Sequence, residues 1–417
     1  MRMIGEQIKK NELRAWLDGI AAFNGTPGEG MTREVYTGEF QAARAYVIGE
    51  MEKLGLHVRE DCLGNIFGLY PGTDADAAPV WTGSHIDTVP KGGKYDGLAG
   101  VFAGLEAVAA MGRAGVRPKR SISVNVYAGE EMSRFGVCCI GSRGLSGRLS
   151  LADLKAHTDP SGLSLYDALK SFGYGPDHFD QDFPRRAPVH ASLELHIEQN
   201  DKLEKAGVPV GIVTGICAPT NLICTVEGVQ SHAGGTSMAD RRDAYMAAAE
   251  MALLLEHLAQ TSTSDYITGT VGELTLTPGA ANVIPGKAVF TVDIRSVSAE
   301  DKDELVENLR AGMRAIAERR GVEVTLTPLN NDAPLRCDEH LSGVMRDQAD
   351  ALAIPHMDLI SGPYHDSLML GDLAPAAMIF IPCEKGISHD RAENIDDDDL
   401  VKGTAVLAET LAKIADE

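Results

Sequence analysis

The chain has 417 residues, 44% hydrophobic and 24% charged, which is the composition of a globular protein too long for one ordinary core, so two domains are expected. A formal net charge of -22 argues against nucleic acid and against an anionic membrane surface as partners. The seven cysteines are odd in number and show no CxxC spacing, which excludes a complete disulfide framework and points to small core residues in a reducing, cytoplasmic compartment.

The first twenty residues read as an amphipathic helix without the apolar centre of a signal peptide. No apolar run approaches the roughly 18 residues of a membrane span. Helices are expected over 11–20 and 39–54, and two short strands over 58–70 flank the turn at Leu63, Gly64 and Asn65. A buried strand is expected to end at Thr82 and to give way to a loop, GSHIDT, which Gly92 and Gly93 keep open until Tyr95-Asp96-Gly97 closes it. Helix resumes at Leu98, with Val101, Leu105 and Val108 at helical spacing, and a strand follows over 121–127. Further elements are a loop passing into a short helix over 133–147, a helix over 165–172 and a strand over 191–197. Strands alternating with helices indicate an α/β sheet.

Near residue 212 the pattern changes. Strands over 221–227, 269–276, 287–295 and 322–327 enclose helices over 239–258 and 299–320, the β-α-β-β-α-β order of a ferredoxin-like domain. Then α/β character returns, with helix over 341–352, strand over 377–381 and helix over 400–414. The expected organisation is a mixed-sheet α/β catalytic domain in two pieces, 1–212 and 329–417, interrupted by an α+β domain at 213–328. Asp396 to Asp399 fits an N-cap with acids at the favourable helix end.

Four polar clusters follow apolar strands: His85 with Asp87 and Asp96, the pair Glu130-Glu131, His196, and His389. Loops at strand carboxyl ends are where open α/β sheets place their sites. Imidazole and carboxylate suit a borderline divalent metal, and two metals about 3.5–4 Å apart need about this set with one carboxylate bridging. Asp87, two residues after His85, is expected to hold the second ring nitrogen of that histidine. Of two adjacent glutamates, one is expected to ligate metal and the other to stay free as a general base. Arg295 suits a carboxylate, with surface pairing to Asp293 or Glu300 as the plainer alternative. Arg241 and Arg242 are expected to pair with Asp240, Asp243 or Glu250 on a helix face, and Cys138-Cys139 to be core packing.

The stretches GSHIDTVPKGGKYDG, EEMSRFGVCCIGSRGLSG, ELHIEQN, QSHAGGTSMADRRDA, AANVIPGKAVFTVDIRS, SGPYHDSLML and GISHD resemble the M20 metallopeptidase-like amidohydrolases, in the hydantoinase/carbamoylase branch. They run from residue 83 to 390, nearly the whole chain. The resemblance implies a zinc-aminopeptidase-like catalytic domain, an inserted dimerisation or lid domain, a homodimer, and two divalent ions per subunit, zinc first, with manganese or cobalt as alternatives. It makes Asp96 the bridging ligand, with His85 and His196 on one ion and Glu131 and His389 on the other. Glu130 becomes the general base, with Asp87 and His232 as further catalytic residues. Gln199, Asn282, Arg295 and His365 would contact substrate. A histidine at 196 marks the carbamoylase branch, since peptidases of the clan usually carry a carboxylate there. Departures at Met132, Asn200, Ser237, Pro363-Tyr364 and Asp390-Arg391 remove none of these residues.

The expected reaction is hydrolysis of the carbamoyl C–N bond of a small ureido acid, foremost an N-carbamoyl-L-amino acid. The alternatives are allantoate or ureidoglycolate, an N-acyl amino acid or dipeptide, and a non-catalytic metal-containing binding protein.

Overall fold

Hydrophobic residues crowd the strands Ile122–Tyr127, Ala191–Ile197 and Ala376–Ile381, and every residue of these and of Val80–His85, four strands in all, is buried. Strands covered on both faces read this way and belong in a parallel sheet. The computed structural model describes residues 3–179 and 188–417. In it the four strands lie parallel, in the spatial order 122–127, 80–85, 191–197, 376–381. The hairpin of His57–Glu60 and Ile66–Tyr70 extends the sheet antiparallel at one side, and Val210–Ile216 extends it antiparallel at the other. The sheet is therefore mixed, with a parallel centre. Parallel neighbours need a crossover. Between 80–85 and 122–127 it is the helix Leu98–Ala114, buried along almost its full length and packed on the last helix, Asp397–Asp416. Because the four central strands run the same way, His85, Tyr127, Ile197 and Ile381 all finish at one edge of the sheet.

The chain divides into two compact units. One comprises Met1–Thr214, Cys337–Leu359 and His365–Glu417, and the other Gly215–Arg336 and Ile360–Tyr364. The second unit carries an antiparallel sheet in the order Leu274–Thr277, Lys287–Ser296, Ala218–Glu227, Glu323–Asn331, with Ile267–Thr270 also beside Lys287–Ser296. The first strand thus lies between the third and the fourth, as a β-α-β-β-α-β chain requires when its helices share one face. Alternate residues of Lys287–Ser296 are buried, and Phe290, Val292 and Ile294 pack with Leu222, Met251 and Leu309 from the neighbouring strand and the two helices.

Several boundaries differ from the sequence reading. The strand starting at Val80 continues through His85, because Gly83 and Ser84 stay in register with Asn125 and Val126. The expected strand over 269–276 is two, Ile267–Thr270 and Leu274–Thr277, each pairing with a different stretch of Lys287–Ser296. The helix expected from 239 starts at Ala244, where the Asp243 side chain accepts the amides of Tyr245 and Met246. The helix Leu151–Ala156, opened by a Ser150–Asp153 capping box, and the strand His356–Ser361 were not expected. Asp396 does cap the last helix, accepting from the Asp398 amide. Among the described residues no helix is long and apolar enough to cross a membrane, and all seven cysteines are free thiols.

Candidate metal centre

Asp96 sits where the loop after the 80–85 strand meets the edge formed by the central strands. Its Oδ1 lies 3.0 Å from His196 Nε2 and 3.5 Å from His85 Nε2. Its Oδ2 lies 3.0 Å from His389 Nε2, which is itself 3.4 Å from Glu131 Oε1. Two sets of metal-ligating atoms therefore share one carboxylate: His85, Asp96 and His196 on one side, and Asp96, Glu131 and His389 on the other. Four of the five residues are buried, and His389 is half exposed. Gly97 leaves room for this arrangement, since a Cβ there would stand 2.6 Å from the His85 ring.

The hydrogen bonds of the two buried histidines decide what the centre can hold. His85 Nδ1 is 3.0 Å from the Asp87 carbonyl, and His196 Nδ1 is 2.9 Å from the Ile197 carbonyl. A carbonyl oxygen only accepts, so Nδ1 carries the proton in both rings. In a neutral ring Nε2 is then an acceptor, and both Nε2 atoms face carboxylate oxygens, His196 Nε2 also accepting the Gly97 amide at 3.2 Å. Acceptors opposed at such distances take a proton or a metal cation between them, and the donor set of histidine and carboxylate suits a divalent ion. The same opposed acceptors attract protons. Burial disfavours the Asp96 anion, yet the three histidines hold its carboxyl well below the usual carboxylate range. Burial disfavours a charged His85, but Asp96, Glu130 and Asp87 outweigh it and raise the ring well above its ordinary value. The bond to Asp96 is the main cause that lifts His389 to about 9.

Asp87 does not hold His85 with its carboxylate, which is 3.8 Å from Nδ1; the backbone carbonyl does so instead. The carboxylate turns the other way and accepts the amides of Gly129 at 3.1 Å, Glu130 at 3.3 Å and Glu131 at 3.0 Å. It fixes the turn that carries the glutamate pair. From the opposite side, Cys139, Ile140 and Gly141 donate their amides to the carbonyls of Glu130, Gly129 and Ala128. Amides at the start of a helix, here Ile140–Ser146, have no partner within it and are satisfied in this way from outside.

Glu130 belongs to neither metal set. Its Oε2 is 4.0 Å from His85 Nε2 and its Oε1 3.9 Å from the Cys139 thiol. Burial pushes its carboxyl well above the usual range, and Glu131 and Asp366 add to that against the pull of His85. Glu131 is pushed up to about 7, by burial first and then by Asp96.

Gln199 donates to Asp96 Oδ2 at 3.0 Å and to the Ser388 hydroxyl at 3.2 Å. His365 is buried edge-on against the His196 ring, with centroids 4.6 Å apart, and burial followed by the charge of His196 holds it well below its ordinary value. The other three expected residues are in the second unit. His232 accepts the Gly234 amide on Nδ1 at 3.0 Å, so in the neutral ring the proton is on Nε2. Asn282 lies beside it, its carbonyl accepting the Ala233 amide at 2.9 Å. Arg295 is held in a fork by Asp293, from Nε at 2.9 Å and Nη2 at 3.2 Å, and Nη1 reaches the Gly362 carbonyl at 3.4 Å. Arg241 lies ahead of the helix Ala244–Thr261 and does not take the expected acid partner. It donates to the carbonyls of Ala233 and Thr236, and Glu250 pairs with Arg319 and Arg320.

Sequence reasoning missed a buried layer behind the histidines. Glu194 accepts the Ser84 hydroxyl at 2.8 Å and the Ser367 hydroxyl at 2.6 Å. Asp366 accepts the Ser142 hydroxyl at 2.5 Å, and burial with Glu194 close by pushes it up to about 8. A charged residue inside the apolar run ASLELHI was the available signal for Glu194. Glu393 was also missed; nothing in SHDRAENI separates it from surface acids.

The sequence model of Peptidase family M20/M25/M40 matches residues 81–413. The ureidoglycolate hydrolase of Oryza sativa subsp. japonica is 39% identical over 98% of this chain and 85% of its own length. The N-carbamoyl-L-amino acid amidohydrolase of Geobacillus stearothermophilus is 38% identical over 93% of this chain and 94% of its own. Among solved structures, a hydantoinase/carbamoylase family amidase from Burkholderia multivorans superimposes with a TM-score of 0.89 at 32% identity, covering 98% of each chain.

Proposed function

We propose that this chain, which belongs to peptidase family M20/M25/M40 and is an amidohydrolase of C–N bonds, cleaves the carbamoyl (ureido) group from a small carboxylic acid. The observation that carries the reading is the shared carboxylate of Asp96 between two metal-ligating sets, with buried Glu130 outside both. Two divalent ions bound there, zinc or else manganese or cobalt, would supply Lewis acidity to the scissile carbonyl and to the attacking water. His85 and His196 would hold one ion with Asp96, and Glu131 and His389 would hold the other with Asp96.

Glu130 takes the proton of the attacking water on a carboxylate oxygen and later gives it to the leaving nitrogen. A carboxyl whose buried anion is disfavoured is poised for both steps. Arg295, oriented by Asp293, reads the substrate carboxylate, with Asn282 and Gln199 as further polar contacts and His365 as a pocket wall. His232, with its proton on Nε2, donates to the oxygen that becomes negative in the tetrahedral intermediate. For an N-carbamoyl-L-amino acid the products are the amino acid, carbon dioxide and ammonia. Ureidoglycolate is the second reading, favoured by the rice relative; identities of 39% and 38% do not choose between the two.

The inserted domain, 213–328, is the dimerisation domain in this account. Tyr245, Met246 and Leu253 are exposed on the helix Ala244–Thr261, and Leu274 is exposed on the edge strand Leu274–Thr277. An apolar face beside an open sheet edge is a surface that a second copy covers well. The compartment proposed is the cytoplasm. A panel of ureido acids assayed for ammonia, beside N-acyl amino acids assayed for free amine, tests the substrate class. Turnover of the N-acyl compounds alone would refute the carbamoyl assignment.

A further inference from the structure

The two metal-ligating sets are not equally anchored. His85 and His196 stand on the buried central strands, whereas Asp96 and His389 stand on loops nearly three hundred residues apart in sequence. One side chain joins those loops. Glu393, 4% exposed, accepts the amides of Tyr95 at 2.8 Å and Asp96 at 3.1 Å on Oε1. Its Oε2 accepts from the Ser388 hydroxyl at 3.1 Å, and that hydroxyl is also 3.2 Å from Asp96 Oδ2. The first loop is shaped around this carboxylate: a Cβ on Gly93 would stand 2.0 Å from the Glu393 carboxyl carbon. Charged groups buried this deeply are retained where they are fully bonded, and these bonds all run to the backbone of one metal loop or to the neighbour of a histidine on the other.

We infer that Glu393 is a positioning residue for the half-site of Asp96, Glu131 and His389. It ties the bridging carboxylate to the loop of His389, so the two can converge on one ion. The inference rests on the metal reading given above. The effect of Glu393 falls harder on that half-site, because two of its three residues, Asp96 and His389, stand on the tied loops, whereas the other set has two strand-borne histidines and shares only Asp96. Partners that orient ligands in this way typically change metal affinity by about 10–100-fold when removed.

The test is metal binding by the full chain, read without turnover. Metal-free protein is titrated with Zn²⁺ or Mn²⁺ by calorimetry, and bound metal is counted after dialysis at limiting free ion. Wild type should take two ions. Glu393→Ala should bind the second ion, that of the Asp96, Glu131 and His389 set, about 10–100-fold more weakly, with a smaller loss at the first, which shares Asp96. Glu393→Gln should restore the second, since the amide oxygen still accepts the two amides and the amide nitrogen donates to Ser388. Wild-type affinity for both ions in Glu393→Ala overturns the inference. So does a Gln variant as weak as Ala, because charge rather than bonding would then be the cause. Gly93→Ala presses the carboxylate from the other side and carries the test if Glu393→Ala does not fold. An unchanged second ion in Gly93→Ala also overturns the inference. If wild type binds no second ion, the metal reading itself fails, which is a different result from a wild type with two ions whose variants keep both.

Discussion

Replacing Glu130 by glutamine separates chemistry from metal binding. The change is isosteric, and the turn stays held by Asp87 on one side and by the amides of residues 139–141 on the other. Glu130 makes no part of either metal-ligating set, so both ions should remain. What goes is a base able to take a proton from water. That is worth about 10²–10⁴-fold in kcat, or about 3–5 kcal/mol of transition-state stabilisation. Stability should not fall, because burial already disfavours the anion at this position and a neutral amide removes that cost. The assay is ammonia release from a ureido acid, with metal content and thermal midpoint measured on the same preparation. A Glu130→Gln protein that has lost an ion would mean that the roles of Glu130 and Glu131 are exchanged. Near-normal turnover would remove the general base from the account.

Arg295→Lys should raise KM nearly as much as Arg295→Ala, because an ammonium cannot span both oxygens of Asp293 and still present a planar fork to a carboxylate. Equal turnover of an acid substrate and its amide analogue by wild type would refute that role. Mixing His232→Ala with Glu130→Gln tests whether His232 serves the partner's site. Random remixing makes half the dimers mixed, each with one working site, so about a quarter of wild-type activity should return; confirmed subunit exchange with no recovery would rule it out. Asp87→Asn turns an NH2 group toward backbone amides that now have a carboxylate, which should cost about 1–3 kcal/mol in denaturant unfolding of the metal-free protein. Glu250 is held down to about 2 by its bonds to Arg320 and Arg319, so its folded value lies below its unfolded one. Its stabilisation is present above the ordinary glutamate range near 4.5 and is lost as pH falls toward 2. The pair lies near the surface, so Glu250→Gln should cost only about 0.2–1 kcal/mol at neutral pH, a difference that shrinks on acidification.

Much of the fold was legible because burial writes itself into composition. The central strands are rich in apolar residues, without a break in Ala376–Ile381, and the helix Ala299–Arg320 shows the expected bounds, opened by Ser298 and closed by Gly321. Boundaries failed where tertiary pairing overrides local signals. Gly83 and Ser84 look like a loop but remain in the ladder, because the neighbouring strand supplies the register. The histidines and acids that gather around Asp96 were legible because they stand within or after the central strands. The supports around them were not. Asp87 lies two residues from His85, yet its carboxylate serves a turn more than forty residues away. Glu194 and Asp366 meet only after the sheet has formed, and Glu393 lies almost three hundred residues from the amides it accepts. Such contacts leave no period or spacing in a single sequence.

The central claim is that two ions, gathered on Asp96, drive hydrolysis of a ureido acid. It is tested most directly by titrating metal-free protein with Zn²⁺ or Mn²⁺ while ammonia release from N-carbamoyl amino acids and ureidoglycolate is followed. The account predicts no ammonia from the metal-free chain, and activity that rises with added ion to a plateau at two ions per chain. Full activity without metal, or a plateau at a single ion, would contradict it.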